Sequence, residues 1–140
     1  MKRLMTRSMF AAAALAVAAV GASAQTLNAE IPFTFRAGST VMAPGSYELS
    51  RSTNGGHYFI LSNRESKKAI ILMSPSQRDP AKAWVSAAKP LLSFECVEAQ
   101  CALRELWTGQ GASYRFTGPR PGPEMSVHIT EILLTRAKAE

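Results

Sequence analysis

Residues 31–49 read IPFTFRAGSTVMAPGSYEL. Ile31, Phe33 and Phe35 alternate with Pro32, Thr34 and Arg36. That period of two marks a strand with one buried face. Pro32 has no amide hydrogen to give a ladder, which predicts an edge strand or a strand start. Ala37-Gly38-Ser39 then turns the chain. A second turn is predicted at residues 43–46, where Pro44 presets φ and Gly45 tolerates the positive φ of a type II turn. Alternation resumes with Tyr47 and Leu49, so an inward tyrosine or leucine follows the turn. A buried tyrosine carries a polar tip that needs a partner. Tyr47 is therefore expected to lock this corner.

The same grammar runs outward from this stretch. Asn54-Gly55, between SYELSRS and HYFILSN, predicts a tight hairpin. KKAIILMS is the next strand, entered through a polar turn at residues 63–67. PSQRDPAKAW reads as a loop and AWVSAA as a short strand. PLLSFEC and CALRELW read as a hairpin, and SYRF as a further strand. In MSVHITEILLTRA, Met125, Val127 and Ile129 alternate before Ile132 and Leu134 shift phase, which means either a strand re-aimed by a bulge or the start of a final helix turn, with the strand favoured. Seven to nine short strands with turn residues between them predict an all-β fold, a small antiparallel sandwich or barrel.

The N-terminus has the grammar of export. Lys2, Arg3 and Arg7 precede an apolar run from Met9 to Val20, and Ala22 and Ala24 form an A-x-A end. This is a secretory signal pattern, with cleavage expected after Ala24. The run is too short for the roughly 20 residues that span a bilayer. The expectation is a cleaved signal over residues 1–24 and one β-domain over residues 25–140, with no membrane span, in the periplasm or outside the cell. Of sixteen basic residues three belong to the signal, while all ten acidic ones follow it, so the remaining chain carries a net charge of about +3. That mild balance, with no basic stripe interleaved with aromatics, argues against nucleic acid as a partner. The densest basic patch, SNRESKK, is interrupted by Glu65 and reads as a solvated hairpin end.

Cys96 and Cys101 are the two cysteines, four residues apart between two apolar runs. In an exported chain an even, close pair reads as a disulfide stapling a hairpin tip. Redox pairs usually enclose two residues. A zinc site would need two more ligands, with only His57 and His128 to supply histidine nitrogens. No metal and no cofactor are expected.

The chain also resembles a family of small exported proteins common in soil bacteria of the acidobacterial type. Their opening pattern, V/I-P-F-x-F-x-A/V-G then L-P-A-G-x-Y-x-V, is similar to Ile31, Pro32, Phe33, Phe35, Gly38, Pro44, Gly45 and Tyr47 here. A later pattern is matched more loosely by Leu92, Phe94, Leu106, Trp107 and Gly109, with the cysteines standing where many members show aromatics. The resemblance implies a secreted β-domain and supplies no catalytic residue.

Catalytic sets are thin. Asp79 is the only aspartate, and no G-x-S-x-G elbow appears. His57 follows a hairpin turn, and His128 lies on the polar side of an alternating strand, so both read as surface residues. Glu95, Glu98 and Glu105 are the candidate carboxylates, and an Arg–Glu cross-strand pair with Arg104 is their plainer use. Trp84, Trp107, Tyr114 and Phe116 are candidates to line a pocket or partner surface, although such residues more often pack the core. The reading is an exported non-enzymatic β-domain that binds a small apolar ligand, an envelope component or a protein. The alternative is a small secreted hydrolase with a dispersed Glu/His site.

Overall fold

Pro32 decides where the first strand stops. The structure, a computed structural model, describes residues 26–52, 58–74, 76–117 and 125–136. Residues 1–24, with the signal pattern, and Asn54, Gly55 and His57 lie outside the described residues. β1 (Leu27–Ile31) ends one residue before the proline, and β2 (Phe35–Ala37) starts after Thr34 in the other sheet. The single alternating strand expected over residues 31–36 is thus two strands in two sheets. Nor is Pro32 at a strand start: it lies just past the end of β1, where β4 is the only paired neighbour because β12 reaches only Leu27 and Asn28 among the described residues. Without an N–H the proline cannot extend the ladder, and the chain uses that break to cross the domain.

Among the described residues there are twelve strands, against the seven to nine expected. Beyond β1 and β2 they are β3 (Thr40–Met42), β4 (Gly45–Arg51), β5 (Tyr58–Asn63), β6 (Ala69–Met73), β7 (Ser76–Arg78), β8 (Leu91–Val97), β9 (Gln100–Trp107), β10 (Ser113–Arg115), β11 (Val127–Leu133) and β12 (Thr135–Arg136). Five form one sheet in the order β12-β1-β4-β5-β6. Seven form the other, β11-β8-β9-β10-β7, with β2 also paired to β9 and β3 to β2. All the pairings are antiparallel except β2 with β9, which is parallel. The sheets face each other, so the fold is a sandwich rather than a barrel.

The core between them is built from period-two positions. Leu27, Ala29, Ile31, Tyr47, Leu49, Phe59 and Leu61 come from the five-stranded sheet, and Phe35, Leu92, Phe94, Cys96, Leu103 and Leu106 from the seven-stranded one. Aromatic edges knit the layers: Phe35 meets Tyr47 at 5.3 Å and Phe94 at 5.3 Å, and Phe33 meets Phe94 at 5.1 Å, all T-shaped. Such pairs add about 0.5–1.5 kcal/mol beyond the area they bury.

Two departures from the predicted elements shape the outer face of the seven-stranded sheet. AWVSAA, residues 83–88, expected as a short strand, falls largely in helix α1 (Lys82–Ala87). Alanine-rich sequence favours helix, and Pro80 stands just ahead of the first turn, where it does no harm. Ala88 closes it in the left-handed region at φ 53°, its N–H reaching Trp84 and Val85 carbonyls. The second departure is a bulge in β9. Ser93 pairs with Glu105 but Phe94 pairs with Leu103, so Arg104 is the extra residue. Leu103 and Leu106 are three apart in sequence, yet both reach the core, because a bulge resets the alternation between them.

Candidate functional site

The stapled hairpin positions a groove. β8 and β9 turn through Glu98 and Ala99, with Glu98 in the left-handed region at φ 54°. Cys96 and Cys101 face each other in register and form the expected disulfide, with Cα atoms 4.0 Å apart. Cys96 is buried in the core, so its register neighbours Cys101 and His128 share that inner face. Glu95, Val97, Gln100 and Ala102 alternate onto the outer face.

The groove lies on this outer face at the hairpin tip and has a volume of about 580 Å³. Val97, Val41 and Met125 supply apolar walls, and Val41 and Met125 are exposed. Arg36 enters from β2, opposite Ala102 in the parallel pair. Across the floor Arg104 Nε donates to Glu95 Oε2 at 3.1 Å, the Arg–Glu cross-strand pair expected on this hairpin. Arg104, the extra residue of the bulge, lies two residues along β9 from Ala102, the register partner of Glu95. Two arginines and two glutamates, Glu95 and Glu98, balance the charge of the lining. Such a surface suits a ligand with apolar area and a few polar atoms rather than a polyanion.

Farther along the same face a polar cluster buries Glu105 and Ser113 beneath the half-exposed Arg78 side chain. Arg78 grips Glu105 with two hydrogen bonds, Nε to Oε1 at 2.7 Å and Nη2 to Oε2 at 2.9 Å. Ser113 Oγ donates to Glu105 Oε1 at 2.8 Å. Glu105 and Ser113 are 5% and 0% exposed, which closes them to any substrate. The hydrogen bond that the Arg78 guanidinium donates to Glu105 holds its pKa above the ordinary range; partial desolvation opposes this and the charge of Glu105 adds to it. This is a structural pair, and the loop predicted for residues 75–84 gave no sign of it.

The aromatic candidates are interior. Trp84 packs with Leu91 and Trp107 in a small core beneath α1. Its Nε1 donates to Glu131 at 2.9 Å, and Trp107 Nε1 donates to the Gly111 carbonyl at 3.2 Å. Tyr114 and Phe116 join the main core. None of the four lines the groove. The groove residues were harder to see in the sequence, because they come from β2, β3, the hairpin and Met125, joined by a non-local parallel pairing.

At the corner Gly45 opens β4 at φ +153°, so residues 43–46 make an extended crossing rather than the expected type II turn. The chain leaves the seven-stranded sheet after Met42 and enters the other at Gly45. Tyr47 is fully buried, and its hydroxyl donates to the Ala43 carbonyl. His128 is exposed, and strand alternation puts it on the face opposite Glu95 and Glu105. Among the described residues no three His, Cys, Asp or Glu side chains gather as a metal site, and no helix is long and apolar enough to cross a membrane. No protein-family model matches this chain, and no curated protein or solved structure matches it either.

Proposed function

We propose that this protein is an exported, non-enzymatic β-domain that works by binding, and that the groove at the stapled end of the seven-stranded sheet is where it binds. The groove carries the reading. It is open, it joins exposed apolar side chains to Arg36, and its floor is set by a bulge and a disulfide. A rigid floor lowers the entropy lost on binding. The signal pattern, the disulfide and the resemblance to exported β-domains all favour a location outside the cytoplasm. The ligand class is a small amphipathic molecule or an envelope component of that character.

Native mass spectrometry of the protein, purified gently from its host's envelope and medium fractions, tests this. Added mass on the folded species is expected, lost on denaturation and absent from a Val97→Asp variant that keeps its fold. Bare protein from both fractions, or an adduct indifferent to Val97→Asp, overturns the assignment.

A further inference from the structure

Strand edges are where a sandwich meets other chains, and the five edge strands among the described residues are unlike: β3 pairs only with β2 and is three residues long. β7 and β12 are three and two residues long. β11 carries Glu131, engaged by Trp84, on its outer face. β6 is AIILM: five residues with no charge, no proline and no glycine. It pairs with β5 on one side and, among the described residues, with nothing on the other. Ile71 and Met73 stand 64% and 75% exposed on its outer face. Edges of this kind are normally blunted by a lysine, a proline or a bulge.

The hydrogen bonding fixes which groups that edge offers. The Asn63 N–H donates to the Lys68 carbonyl at 2.8 Å, and the same register continues through Ser62 with Ala69 to Tyr58 with Met73. Bonded and non-bonded pairs alternate along an antiparallel ladder. Ile70 and Leu72 therefore direct their N–H and C=O groups to β5. The N–H and C=O groups of Ala69, Ile71 and Met73 point to the open edge.

We propose that β6 pairs with β6 of a second copy, antiparallel about a two-fold axis through Ile71, to make one continuous ten-stranded sheet from the two five-stranded ones. The strand is self-complementary in three respects. With Ile71 on the axis, Ile71 faces its own copy and Ala69 faces Met73. All three are residues whose backbone groups are open, so each pair exchanges both of its bonds. On the outer face small meets large: Ala69 lies across from Met73, as an isologous interface requires. The charges also fit. Lys68 falls opposite Ser74 and Lys67 opposite residue 75, so no lysine meets a lysine, and the Lys68 ammonium is already held by the Val41 carbonyl at 3.2 Å. An unrelated strand could use the same backbone groups, but it would have to match this pattern by chance, whereas a second copy matches it by symmetry.

Sedimentation equilibrium on the whole secreted protein, with amide hydrogen exchange on the same samples, is the test. A concentration-dependent dimer is expected. On dimerisation the Ala69, Ile71 and Met73 amides gain protection, while those of Ile70 and Leu72 are protected throughout. Ile71→Lys puts two ammoniums on the axis at a site exposed in the single chain, so it keeps the fold and weakens association by at least about tenfold. Ile129→Lys, an exposed control on β11, leaves the dimer intact. Ile71→Cys gives a disulfide-linked dimer on oxidation. A monomer at every concentration overturns the proposal. So does a dimer insensitive to Ile71→Lys, one abolished by Ile129→Lys, or protection that falls on Ile70 and Leu72 alone.

Discussion

The Tyr47 hydroxyl donates to the carbonyl of Ala43, four residues upstream, at the point where the chain passes from one sheet to the other. One side chain thus fills the core with its ring and pins the crossing with its tip. Tyr47→Phe keeps the ring and its edge contact with Phe35 but deletes the bond. Because Ala43 is exposed, water can take over its carbonyl. The expected cost is the ordinary net value of one hydrogen bond, about 0.5–1.5 kcal/mol. Urea denaturation should show a lower midpoint with an unchanged slope. A midpoint within error of the parent would show that the crossing holds without the bond.

Gly45 is the second pin of that crossing. Its φ is +153°, and a Cβ there would meet Asn63 Nδ2 at 3.2 Å. Asn63 is itself buried and committed, since its Oδ1 accepts the N–H groups of Glu65 and Ser66 in the turn before β6. Gly45→Ala therefore strains the backbone and crowds the residue that holds the neighbouring turn. A loss of about 1–3 kcal/mol is expected. Gly38→Ala is the comparison: it shares the positive φ but has open space around it, so it should cost less. Thermal melts of the two variants check the order, and equal losses would remove the role given to Asn63.

Residues 31–49 showed an all-β fold in sequence through alternation and turn residues, but the same alternation hid the break at Pro32 that sends the chain from one sheet to the other. Tyr47 was legible because a polar tip on an inward position requires a partner. Where local rules competed, the reading slipped. AWVSAA has too little periodicity to separate strand from helix, and alanine propensity with burial of Trp84 decided for helix. The bulge at Arg104 shows in sequence only as Leu103 and Leu106 being out of step, a signal that single-strand alternation discards. The groove was illegible, since Arg36 reaches Ala102 through a parallel pairing between residues 66 apart in the chain. No local pattern encodes such a contact.

The disulfide closes a very short loop. Chain-entropy arguments then assign it about 2 kcal/mol, near the low end of the usual range. Cys96→Ala with Cys101→Ala is preferred to serine, because Cys96 is 1% exposed and a buried hydroxyl would add its own penalty. The variant should fold, with a lower Tm and the same far-ultraviolet circular dichroism. Its more specific consequence is at the groove, where Cys101 lines the wall. Hydrogen exchange should quicken at residues 97–100 before it quickens elsewhere. Uniform loss of protection across both sheets would mean that the bridge supports the whole core rather than the tip.

Glu105 is the most deeply buried carboxylate among the described residues, and Arg78 is what makes its position tolerable. Removing one partner of a buried pair commonly costs about 3–5 kcal/mol. Here the arginine side chain is 48% exposed, so water can reach its place and the cost should fall to about 1–3 kcal/mol. Arg78→Lys keeps the charge but loses the two-pronged grip, and belongs between the parent and Arg78→Ala. The raised Arg78 pKa sets the sign with pH. Its contribution is complete below the ordinary arginine range and is lost only as pH rises through the higher folded value. The stability gap between parent and Arg78→Ala should therefore stay flat from neutral to mildly alkaline pH in urea titrations. A gap that closes within that interval would mean that a group other than the Arg78 guanidinium titrates there and sets the contribution.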